Sequence, residues 1–125
     1  MIILSKEQIV ALHSSLIAET GGSDGIRDEN LLEAAINAPF QTFDNAEVFP
    51  SIQQKGARLG YGLIKNHAFV DGNKRIGTHV MLIFLMLNEI DVDYEDEELT
   101  RLILGVAAGE ISSEQLLAWL QAHIC

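Results

Sequence analysis

The sequence predicts an all-α fold of about six helices around one buried central helix, with a small non-helical or β-hairpin flap. Three observations lead there. Helical hydrophobic periodicity runs through nearly the whole chain. Two segments open with a serine followed three residues on by a glutamine, the spacing of a reciprocal helix cap. One helix-length segment, "RIGTHVMLIFLMLNE", is apolar on nearly every side, as a helix enclosed by others should be. With 125 residues, 48% hydrophobic and 21% charged, the chain suits one domain, 1–125, that can bury a core without disulfides or a structural metal.

The first helix is expected over "LSKEQIVALHSSLIAE", where Ser5 and Gln8 have capping-box spacing and Ile9, Leu12, Leu16 and Ile17 share a face. His13 lies beside that face and reads as a structural core-edge histidine. "TGGSDGIR" is a loop by its turn-formers. Asp28 can cap a short helix through "ENLLEAAINA", which must finish before Pro39 because the residue preceding proline avoids helical dihedrals. "PFQTFDNAEVFP" has no helical period and reads as an irregular or hairpin-like flap whose Phe40, Phe43 and Phe49 are core cover or a contact surface, core cover being the safer reading for any one of them.

A further helix starts at Ser51, apolar at Ile52, Leu59, Leu63 and Ile64, with Gly56 and Gly60 spaced to permit close packing. After the central helix, Val92 and Tyr94 suit a short extended piece. A helix from Glu95 to Ala108 should end at Gly109, and a last one begins with the capping-box pair Ser112 and Gln115.

Net charge is -10, which argues against a nucleic-acid or anionic-membrane surface. The single cysteine, Cys125, excludes a disulfide framework and a cysteine-based zinc site, and a cytoplasmic setting is expected. No signal peptide is expected, and the longest wholly apolar run, Val80 to Leu87, is eight residues, against the about 20 that span a bilayer. Seven of the eighteen acids fall between Glu89 and Glu98, whereas Lys65, Lys74 and Arg75, three of eight cations, stand within eleven residues. Such a concentration of positive charge suits an anion site; a solvated surface cluster is the alternative.

The cations flank "HAFVDGNKRIG", His67 to Gly77. It lies between two helical patterns, so its first half is a tight interhelical loop with Gly72 at the sharpest point and Asn73 opening the next helix. A helix start offers unpaired N–H groups and the positive end of the macrodipole, where a phosphate fits. Lys74 and Arg75 in that first turn oppose the dipole unless an anion compensates them. Asp71, a lone carboxylate, suits Mg²⁺ completed by phosphates and water. Imidazole ordinarily titrates near neutrality, so His67 is the natural general base for a hydroxyl nucleophile. Phe69 packs inward and anchors the loop. No Walker loop, G-x-G-x-x-G or H-E-x-x-H motif is present, and "DVDYEDEE" has Asp96 where a calcium loop needs glycine.

"HAFVDGNKR" closely resembles the Fic/Doc signature H-x-F-x-[DN]-[AG]-N-[GK]-R, in the death-on-curing (Doc) form with lysine after the asparagine. "LSKEQIVALH", "GGSDGIRDENLLEAAI" and "GVAAGEIS" also look like Doc segments in the expected order, so the resemblance covers essentially the whole chain. It implies a Fic/Doc-type helical bundle that binds ATP with Mg²⁺. His67 would be the general base and Asp71 the Mg²⁺ ligand. Gly72, Asn73 and Lys74 would form the anion hole, Arg75 would clamp a phosphate, and the flap around Phe40 to Phe49 would align a target chain.

Ala68 replaces the usual proline. Lys74 and Thr78 replace the second glycine and the distal arginine of AMP-transferring Fic proteins. The resemblance therefore implies a toxin kinase that passes the γ-phosphoryl group of ATP to a threonine of elongation factor Tu. An AMP transferase and a non-catalytic nucleotide-binding module are the alternatives. It also implies a separate, Phd-like antitoxin, since neither a fused antitoxin helix nor the inhibitory [ST]-x-x-x-E-[GN] motif is recognised in the chain.

Overall fold

A computed structural model describes residues 1–125. Six helices form it: α1 (Lys6–Thr20), α2 (Glu29–Asn37), α3 (Ile52–Lys65), α4 (Asn73–Leu87), α5 (Asp96–Ala107) and α6 (Ser113–Ala122). A hairpin of β1 (Thr42–Phe43) and β2 (Ala46–Glu47) projects between α2 and α3. The expected all-α fold with a small flap is what forms. No helix is long and apolar enough to cross a membrane.

Local chemistry sets the helix starts. Ser5 and Ser112 each accept the N–H of the glutamine three residues on, and each glutamine side chain returns the bond. Ser51 and Gln54 form a third such box at α3, and Asp28 accepts the Leu31 N–H at the start of α2. α2 ends at Asn37, and a 3₁₀ turn, Ala38–Phe40, carries the chain through buried Pro39. The hairpin turns on Asp44 and Asn45, both left-handed at φ 53° and 64°, which is the two-residue turn that suits paired strands.

The core is built on the crossing of α3 and α4. Ile76, Val80, Met81, Phe84 and Leu85 of α4 are fully buried, against Leu63 and Ile64 of α3. Gly56 and Gly60 bring the helices together, because a β-carbon at either would stand 2.7 and 2.8 Å from Leu85 and Met81 side-chain atoms. Leu32 of α2, Val106 of α5 and Leu116 and Leu120 of α6 close the other sides. Val92 makes the short extended pairing with Ile124, while Tyr94 stays unpaired. Gly109, at φ 80°, follows α5 as expected.

Of the three flap aromatics, Phe43 alone departs from the reading as core cover and fits the contact-surface reading instead. Phe40 packs edge-on against Phe84 and Phe49 is half-buried, but Phe43 is 79% exposed. A two-residue strand at the tip of a projecting hairpin has no facing layer to cover it. Beneath the hairpin, Lys55 is 2% exposed and donates to the Phe49 carbonyl and, at 3.0 Å, to Glu47. A buried ammonium is tolerated when it is paired and hydrogen-bonded in this way.

Candidate active site

Two helix ends meet at the site. α3 closes with Asn66 as its C-cap and α4 opens with Gly72 as its N-cap, so His67 to Asp71 cross between them. Gly72 is left-handed (φ 75°, ψ 21°) and has no side chain to cap the helix. The N–H groups of Asn73, Lys74 and Arg75 therefore meet no acceptor within the protein. This first turn holds no acid and two cations, so the dipole and the side chains add to one positive field.

His67, Asp71, Gly72, Asn73, Lys74 and Arg75 line one hollow of about 250 Å³ together with Val70. The structure thus gathers Gly72 and the five polar site residues that the sequence singles out. His67, Asp71 and Lys74 are exposed there, and Gly72 and Arg75 are half-buried. Phe69 lies beneath the loop, 1% exposed, as expected of an anchor. Phe40, Phe43 and Phe49 do not line the hollow.

The buried Asn73 side chain is committed to the loop: its Oδ1 accepts the Phe69 N–H at 3.0 Å and its Nδ2 donates to the Phe69 carbonyl at 3.1 Å. The Asn73 backbone N–H remains without an acceptor in the protein. Asp71 Oδ1 accepts the Gly72 N–H at 2.8 Å, and Oδ2 accepts the Ser23 N–H at 3.3 Å. These two bonds, in that order, hold its carboxyl below the usual carboxylate range, with Arg75 and His13 adding smaller pulls. Arg75 Nη1 donates to the Thr20 hydroxyl and to the Gly21 carbonyl at 3.0 Å, and its Nη2 stands 3.9 Å from Asp71.

Sequence reasoning missed the segment that braces the loop. Residues 25–28 lie antiparallel to residues 67–70 through an Ile26–Phe69 bridge. The N–H groups of Arg27 and Asp28 both donate to the Ala68 carbonyl, and that of Val70 donates to the Gly25 carbonyl. Arg27 Nε donates to the His67 carbonyl at 2.7 Å and Nη2 to that of Asn66 at 3.3 Å. His13, expected at the core edge, is 1% exposed, and its Nε2 meets the Asp71 carbonyl at 2.6 Å. A polar ring inside the Ile9–Ile17 stripe was the available signal.

A second, open cavity of about 430 Å³ adjoins the hollow and shares Lys74 and Arg75 with it. Leu16, Leu82, Leu99, Ile103 and Leu104 give it apolar walls, and Thr78, His79 and Tyr94 also line it. No group of three or more His, Cys, Asp or Glu side chains gathers in the structure to hold a metal ion.

The sequence profile described as Fic/DOC family matches residues 3–85, a span that runs from α1 through the loop and most of α4. A Mycolicibacterium smegmatis protein named Toxin Doc is 32% identical over 102 residues, 80% of this chain and 78% of its own length. An Escherichia phage P1 protein named Protein kinase doc is 33% identical over 109 residues, 87% of this chain and 85% of its own length. A profile that covers both braces of the loop as well as the loop itself, together with relatives alike over most of their length, shows that the chain belongs to the Fic/DOC family.

Proposed function

We propose that the protein is the toxin of a type II toxin–antitoxin pair and transfers the γ-phosphoryl group of ATP to a threonine hydroxyl of a translation factor, elongation factor Tu. The observation that carries this reading is the uncapped, doubly cationic start of α4, opening into one hollow with an exposed imidazole and a lone carboxylate. The names of the relatives, Toxin Doc and Protein kinase doc, support it.

In this reading His67 takes the proton of the target hydroxyl as its oxygen attacks the γ-phosphorus. The bond from that phosphorus to the bridging oxygen breaks, and ADP leaves. The N–H groups of Asn73, Lys74 and Arg75 face the phosphate charge in a fixed array, and the two cationic side chains add their charge to it. Arg75 would exchange its Thr20 and Gly21 partners for a phosphate. Asp71 would hold Mg²⁺: a single exposed carboxylate suits an ion that arrives with the nucleotide and completes its shell from phosphates and water. When bound, that ion neutralises charge on the phosphates.

Thr78 favours phosphoryl over AMP transfer. Its hydroxyl donates to the Lys74 carbonyl at 2.7 Å, so it is turned onto its own helix and adds no second phosphate clamp. Phe43, exposed on the hairpin, is the flap aromatic free to touch a target chain. The apolar cavity beside Lys74 suits a helix from a separate, Phd-like antitoxin.

The test is transfer from γ-labelled and α-labelled ATP, in parallel, to elongation factor Tu. Label is expected from the γ position alone. Label from the α position alone would establish AMP transfer, and no label from either would leave a nucleotide-binding module. His67→Ala should abolish transfer while circular dichroism and Tm stay near those of the unmutated protein.

A further inference from the structure

We infer that His13 is a positioning residue: its Nε2–H holds the Asp71 carbonyl and thereby fixes the plane of the peptide that leads into the phosphate-facing start of α4. The two residues are 58 apart in sequence, and the contact is 2.6 Å. A carbonyl only accepts, so Nε2 must carry the proton. The ring itself has little freedom, being 1% exposed and stacked on Phe69 with centroids 3.9 Å apart and planes 14° from parallel. Phe69 is gripped in turn by the Asn73 amide. A planar trans peptide points its carbonyl and its N–H to opposite sides. With the Asp71 carbonyl turned inward to His13, the Gly72 N–H is turned the other way, where it binds Asp71 Oδ1. One inward hydrogen bond thus orients both the Asp71 carboxylate and the entry to the helix.

A role confined to filling the core would not select histidine. Its Nδ1 is buried without a hydrogen-bond partner, and Asp24 Oδ1 stands 3.4 Å from it. Asp24, itself held by the Ser14 hydroxyl and the Gly25 N–H, directly precedes the bracing segment. An apolar ring of similar size would stack on Phe69 without leaving a polar atom unpaired. What such a ring cannot do is hold the carbonyl.

His13→Phe keeps the stacked ring and removes the donor, whereas His13→Gln restores a donor of similar reach. The Phe variant is expected to fold and to lose protection from hydrogen exchange at the Gly72 amide. Its kcat for transfer should fall about tenfold or more, with KM for the protein acceptor unchanged. The Gln variant should recover most of both. Native Gly72 exchange and native kcat in a folded Phe variant would overturn the inference, as would a folded Gln variant as impaired as Phe. In the unmutated protein, histidine nitrogen spectra should show His13 protonated at Nε2, and an Nδ1–H tautomer alone would overturn it without any variant. If the unmutated protein transfers nothing, the proposed activity fails, while the exchange and tautomer measurements still decide the role of His13.

Discussion

His67 has φ 49°, a left-handed backbone that is unfavourable for a residue with a side chain. Arg27 keeps it there by donating to the carbonyls of His67 and Asn66, immediately past the end of α3. Arg27→Ala removes both bonds and lets His67, the proposed base, relax toward ordinary dihedrals. The expected result is a stability loss of only about 1 kcal/mol, with kcat lowered much further, about tenfold or more; urea unfolding and transfer kinetics measure the two separately. His67, Asp71, Lys74 and Arg75 were legible in the sequence because they lie within nine positions on one loop and one helix start. Arg27 and His13 were not, since their partners are 40 and 58 residues away and no local pattern encodes such a contact.

Helix starts were the most legible elements. The Ser5–Gln8 and Ser112–Gln115 boxes form as their spacing implies, because a cap is decided within four residues. The glycines of α3 announced close packing, but the third glycine of that crossing, Gly77 on α4, did not stand out. A β-carbon there would lie 2.5 Å from Ile64 Cγ1 and 3.1 Å from the Gly60 carbonyl oxygen. Alanine gains about 1 kcal/mol in helix propensity, yet backbone cannot yield as a flexible side chain can. Overpacking of about 2–3 kcal/mol should therefore win. Gly77→Ala is expected to destabilise by a net ~1–2 kcal/mol and to lower Tm by roughly 4–8 °C in a thermal melt. For Phe43 the choice between core cover and contact surface is an element-level matter: composition marks an aromatic as apolar, whereas its burial depends on whether another layer faces its strand.

Across the whole molecule, both ends of the chain tie back to the segment after α4. The Ile2 N–H and carbonyl pair with the Asn88 side chain, and Ile124 pairs with Val92. His123 fastens the carboxyl end. Its Nδ1–H donates to the Trp119 carbonyl, which raises its pKa most; Glu98, 3.1 Å from Nε2, and Asp93 raise it further against the opposing effect of desolvation. A folded pKa above the unfolded one, about 6.5, gives stability that is fully present below that value and is lost as pH rises through the folded pKa. Asp24 and Asp71, held low, act in the opposite sense: their contribution is present above the unfolded carboxyl pKa and disappears only in acid. The urea midpoint should therefore be higher at pH 6 than at pH 8, and His123→Gln should reduce that difference.

The bare start of α4 bears on where the fold ends and its ligand begins. α1, α2, α3 and α6 are each closed by a side chain of the protein, and α5, though uncapped, opens with three acids that complement its dipole. α4 has neither, although it is the helix on which the core is built. An anion bound there acts as the missing cap, so occupancy of the site and integrity of the core are thermodynamically linked. At a hundred times its dissociation constant such a ligand would add about 2.7 kcal/mol to the folded state. Under the proposed function that anion is the nucleotide, which would then be part of the scaffold as well as the reactant, and its departure would loosen the helix that aligned it.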